Sequence, residues 1–136
     1  GNLDLMAELP LAAARVGRVR ERDAAYQAGA APEFCIAYEG SRPGGSPDGA
    51  RRHYRRALEL SGGQRASVHV ALAEAVSVRE QNLAEFRALL AAAQAVDPDA
   101  APELRLMNTL ARRRARWLEA RIPDLFPDAD PEEGSR

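Results

Sequence analysis

The chain has 136 residues, a length that suits one domain, and its 19 basic side chains are all Arg, set against 20 acidic ones for a net charge of -1. That balance argues against a bulk basic nucleic-acid binder, which needs a surplus of cations, and the single Cys excludes both a disulfide scaffold and a multi-Cys metal module. With 28 Ala and 15 Leu against 3 Phe, 3 Tyr and 1 Trp, the composition builds helices.

Apolar spacing and helix start and stop signals predict an all-α chain, since no window alternates with a period of two. The first helix is read from Leu3 to Tyr26, with Leu9, Ala12, Ala13, Val16 and Val19 on one face. Gly1-Asn2 opens without a signal-peptide pattern, so the sequence reads as a mature or trimmed fragment of a longer chain. The second helix covers Pro32 to Ser41, where Phe34, Ala37 and Tyr38 share a face, and Arg42 to Gly49 is a Gly/Pro loop.

Ser46-Pro47 supplies an N-cap and first position for a third helix that reaches Leu60 and stops at Gly62-Gly63. The fourth, Gln64 to Arg79, turns Val68, Leu72, Ala75 and Val76 inward. Asn82 and Glu85 form a capping-box-like start for the fifth, Leu83 to Val96, which buries Phe86, Leu89, Leu90 and Ala93. Asp99 is the expected cap of a last helix running to Phe126 with a kink at Pro123 and a stripe of Met107, Ala111, Ala115, Leu118, Ile122 and Leu125. Residues 1–126 make one helical domain, and Pro127 to Arg136 is read as a disordered acidic tail. No apolar run is long enough to span a membrane.

A small-bulky-small pattern recurs as Ala12/Val16/Val19, Ala50/Tyr54/Ala57 and Phe86/Leu90/Ala93. Its offsets of 38 and 36 residues lie near the roughly 34-residue tetratricopeptide period. The reading is antiparallel helix pairs stacked as divergent tetratricopeptide-like repeats in an α-α superhelix. Such an array leaves a concave face, assigned to Phe34–Ser41 and Val68–Arg79, on which Tyr38, Glu39, His69 and Glu74 are the candidate ligand- or partner-binding residues. Tyr38, Glu39 and Arg42 form a polar group before the long loop, explained equally well by capping and an internal ion pair.

Arg112, Arg113, Arg114 and Arg116 form one dense basic cluster. It reads first as Arg stems covering apolar surface and pairing with acidic neighbours, and second as a docking patch for an acidic partner or carboxylate, with Arg112, Arg113 and Arg116 its candidates. Trp117 beside it reads first as a core side chain and second as a recognition platform. Cys35 reads as a buried apolar residue, and Gly40 to Gly49 lacks the phosphate-loop signature. His53 and His69 have neither a carboxylate at i+4 nor a second ligand pair. No catalytic carrier, cofactor fingerprint or metal site is legible.

At Phe34 to Gly63 (FCIAYEGSRPGGSPDGARRHYRRALELSGG), LAEAVSV at Leu72, AEFRALL at Ala84, VDPDA at Val96 and RRRARWL at Arg112, with DLF closing at Phe126, the chain is similar to the TatT component family of TRAP transporters, matching its C-terminal half. The resemblance implies a non-catalytic, tetratricopeptide-like periplasmic protein that assembles with itself, as a trimer, and docks the solute-binding protein of a TRAP transporter for small organic, often carboxylate-bearing or hydrophobic, ligands. It also implies a lipid anchor at the N-terminus of the full-length family member. The alternative is an intracellular adaptor whose concave face holds a peptide while the Arg cluster grips acidic side chains or a C-terminal carboxylate. A small enzyme with His53 or His69 as general base has only the presence of two His residues behind it.

Overall fold

A computed structural model describes residues 29–129, and these are helical throughout, with no strand among them. Helix α1 spans Ala30–Ser41 and α2 Pro47–Ser61. Helix α3 spans Ala66–Leu72 and runs on into a π-helical segment, Ala73–Ser77. Helix α4 is Leu83–Ala95, and a 3-10 turn at Pro102–Leu104 leads into α5, Arg105–Ala120, and the short α6, Ile122–Leu125. The first helix read from the sequence and the end of the acidic tail lie outside the described residues.

The punctuation follows local chemistry. Ser46 accepts a hydrogen bond from the Gly49 N–H at 3.0 Å, with Pro47 in the first position where no N–H is missed. Gly62 ends α2 in the left-handed region at φ 62°, where its own N–H and that of Gly63 reach back to Glu59 and Leu58 carbonyls. Asn82 caps α4 by accepting from the Glu85 N–H at 3.0 Å. Only that half of the expected capping box forms, because the Glu85 carboxylate is taken by Arg51 and by the Ser77 hydroxyl at 2.7 Å.

The last helix departs from expectation at both ends. Asp99 does not cap it; it pairs with Arg105 at 2.8 Å, while Asp97 accepts from the Asp99 N–H. The break near Pro123 falls earlier, at Arg121, because the proline ring cannot be accommodated over the carbonyl four residues back in a continuous helix.

Helix α1 packs on α2, and α3 on α4. Helix α3 also packs on α1 and α5, and α4 on α5, so alternate helices α1, α3 and α5 line up side by side. The apolar core runs through all of them, from Ile36 to Phe86, Leu90 and Phe126, and Ala50, Ala57, Ala66, Ala73, Ala93 and Ala115 are fully buried where helices meet. Small side chains let the backbones approach, and the large ones fill the space between. One buried polar residue ties the array: Asn108 of α5 accepts from the Ala66 N–H at 2.9 Å and donates to the Gln64 carbonyl at 2.8 Å, satisfying the start of α3.

Candidate functional site

The aligned helices α1, α3 and α5 enclose an open groove of about 1060 Å³. On α3, its π extension and the residue that follows it the lining residues are Ser67, Val70, Ala71, Glu74, Ala75 and Val78. That spacing of three and four marks one face of a helix. Ala30, Phe34, Ala37 and Gly40 of α1 stand on one side, and Met107, Leu110, Ala111 and Arg114 of α5 on the other. The abundance of Ala and Gly keeps the groove open, because facing helices with short side chains leave the volume between them unfilled.

Its polar groups are few and mutually engaged. Glu33 accepts from the Ser67 hydroxyl and from the Arg65 guanidinium at 3.4 Å. Glu74 and Arg114 bridge α3 and α5 at 2.5 and 3.1 Å. At the far end Arg79 donates to the Gly40 carbonyl at 3.3 Å. An apolar trough with a few fixed charges at its edges suits a small organic molecule with an apolar body.

Of the residues singled out from sequence, Glu74 lies in the groove and Tyr38 at its border, stacked on Phe34 at 6.3 Å and covered by the Arg42 guanidinium at 5.3 Å. Glu39 and Arg42 face each other at 3.0 and 3.1 Å, and Glu39 also accepts from the Ser46 N–H at 2.9 Å. The Ser46 N–H, and after it Arg42, hold the Glu39 carboxyl below the usual carboxylate range. This clamp folds the loop onto the start of α2.

His69 is a correction. It does not line the groove but is buried on the other side of α3, where its Nδ1 lies 2.8 Å from the Tyr54 hydroxyl of α2, and burial lowers its pKa. Cys35 is buried as read, its thiol pushed up by burial and then by Glu39.

The Arg cluster is divided by the helix. Arg112 donates to the Gln94 carbonyl at 3.2 Å, Arg114 enters the groove, and Arg113 and Arg116 are exposed. Trp117 corrects the core reading: it is 47% exposed, with Arg114 and Arg121 over its ring at 4.5 and 4.9 Å. Sequence reasoning left α5 out of the concave face, missing Met107 and Leu110 as its wall and Arg114 as the partner of Glu74. The row Met107, Leu110, Ala111 and Arg114, at steps of three, one and three, was the available signal.

Among the described residues no group of three or more His, Cys, Asp and Glu could hold a metal ion, and no helix is long and apolar enough to cross a membrane. In comparison with known proteins, the family model described as TRAP transporter T-component matches residues 1–126. The match covers nearly the whole chain and carries no restriction to the C-terminal half of the family. The chain is also similar to an uncharacterized protein of Treponema pallidum (strain Nichols), 29% identical over 106 residues, which are 76% of this chain and 33% of that relative. It therefore spans about a third of the length of the curated relative it matches.

Proposed function

Because this chain belongs to the TRAP transporter T-component family, we propose that it is a transport accessory that docks a periplasmic solute-binding protein and holds a small, largely apolar organic ligand in the groove of α1, α3 and α5. The observation that carries this reading is the groove itself, about 1060 Å³ of mostly Ala, Val, Phe, Met and Leu lining with the Glu74–Arg114 pair at its edge. A volume of this size accommodates a metabolite-sized molecule. Tetratricopeptide-like stacking is part of the proposal. It is supported by the recurring Ala50/Tyr54/Ala57 and Phe86/Leu90/Ala93 sets, which bury Ala50, Ala57, Phe86, Leu90 and Ala93, and by the alignment of alternate helices. Self-association, as a trimer, and a periplasmic location belong to the same reading.

The test has two arms. The chain is used as bait in envelope extract of the source organism, with cytosol as control, and is expected to recover a solute-binding protein. Ala71→Trp, which fills the groove floor, is expected to lower the small-molecule content seen by native mass spectrometry by about tenfold or more while leaving the helical signal intact, since a filled pocket loses its shape complementarity. Recovery of cytosolic proteins only, or an unchanged small-molecule content in Ala71→Trp, overturns it.

A further inference from the structure

The three helices that wall the groove run in the same direction, so its two ends differ. Glu33 near the start of α1 and Asn108 near the start of α5 both reach the start of α3, at Ser67 and Ala66. Further along, Arg114 of α5 meets Glu74, and the last turn of α1 receives Arg79 on its Gly40 carbonyl. Ser67 and Arg79, which line the groove at these opposite ends, stand twelve positions apart, about 18 Å along a helix axis.

Along that length the charges are answered by one another until the last. At the first end one Glu33 oxygen accepts from Ser67 and the other from Arg65, which is 3% exposed. Midway, Glu74 and Arg114 bond each other, and the Arg114 guanidinium also lies over the Trp117 ring. Beside the far end Arg42 is held by Glu39. Arg79 lines the groove and makes no ion pair with any described residue; its hydrogen bond goes to the Gly40 carbonyl at 3.3 Å. Capping the end of α1 accounts for one guanidinium N–H, and the other four remain for another acceptor.

We propose that Arg79 anchors an anionic group of the molecule in the groove, which makes that molecule an amphiphile with a single negative head. The head sits at Arg79, and the apolar body lies along Ala75, Ala71 and Val70 toward Phe34 and Met107. The inference rests on the reading of the groove as a ligand site and names the class of ligand. The carbonyl end of α1 is by itself a poor place for an anion; the guanidinium reverses that, and its planar fork matches a carboxylate. A second negative group is excluded by the other end, where it would meet the Glu33 carboxylate, whose basic partner Arg65 is buried behind it. A cationic head finds Glu33 and Glu74 already engaged, and a neutral one gains nothing from Arg79.

The experiment titrates decanoate, 1-decanol and decanedioate onto the full chain by calorimetry, comparing wild type with R79Q, R79K and A71W. A purely apolar trough takes the alcohol ahead of the carboxylate, which costs more to desolvate. Wild type is expected to reverse that order and to bind decanedioate about fivefold or more weakly than decanoate. R79Q is expected to weaken decanoate by about fivefold or more and so lose the preference, R79K to keep part of it through its charge, and A71W to weaken all three probes. The wild-type order of the probes requires no variant to fold. Decanoate bound no better than 1-decanol by wild type, or bound equally by R79Q and wild type, overturns the anchor, and the groove reading survives either result as long as A71W weakens the probes. If wild type binds none of the three, the anchor falls, and the groove reading falls with it only where A71W and wild type also carry the same small-molecule content.

Discussion

Burial of His69 against Tyr54 places a neutral imidazole in the joint between α2 and α3, with the ring centroids 5.7 Å apart. Desolvation lowers its pKa from the ordinary 6.5, so between the folded and unfolded values the unfolded chain binds more protons. The contribution to stability is therefore complete above about pH 6.5 and is lost as pH falls toward the folded value. Urea unfolding of wild type is expected to show a midpoint that drops from pH 7 to pH 5, and His69→Gln a shallower drop; parallel curves for the two would reject His69 as the cause. The same residue shows how far side-chain placement was legible. On a regular helix His69 and Glu74 are about 140° apart, so spacing already argued against both facing one groove, and the placed helices show that Glu74 is the one that does. The exposure of Trp117 carried a similar signal, since at about 100° per residue it stands about 100° or more away from Ala111, Ala115 and Leu118 of the inward stripe; the first reading of a lone large aromatic as core overrode it.

Elements were most legible where a residue type has one local use. Ser46-Pro47, Gly62-Gly63 and Asn82 set the ends of α2, and the start of α4, within a residue of expectation. The π segment was not legible: AEAVS carries no marker for a shift to i→i+5 bonding, and what supports it is tertiary, the Ser77 hydroxyl on Glu85 and Glu85 in turn on Arg51. The approach of α1 to this segment was equally hidden, and it depends on Gly40. A Cβ built there would lie 2.8 Å from the Ala75 carbonyl oxygen and 2.9 Å from Ala75 Cα, backbone atoms with no freedom to move aside. Helix propensity favours Gly→Ala by about 1 kcal/mol, whereas overpacking costs about 1–3 kcal/mol. The contact is with backbone, so the steric effect wins, and Gly40→Ala is expected to lower the urea midpoint. A raised midpoint would mean that α1 and the π segment can separate freely, and with them the two walls of the groove.

For the whole molecule the question is whether the array unfolds as one body or helix by helix. Stacked repeats with only nearest-neighbour contacts can lose cooperativity. Here two features oppose that. The apolar core is continuous from Ile36 on α1 to Phe126 beyond α6, and polar ties cross the array, Asn108 from α5 to the start of α3 and Arg65 from there to Glu33 on α1. Trp117 reports on α5 while far-ultraviolet circular dichroism reports on all helices, so the two urea transitions are expected to coincide. Phe126 provides the stronger version of the test. It is 3% exposed and meets Phe86 edge-on at 4.9 Å, so Phe126→Ala is expected to cost about 3–5 kcal/mol. If the array is one cooperative body, both signals move to lower urea together. If the Trp117 transition moves alone and the helical signal of α1 to α4 stays behind, the last helix is a separately stable unit, and the groove it helps to wall would open without unfolding the rest.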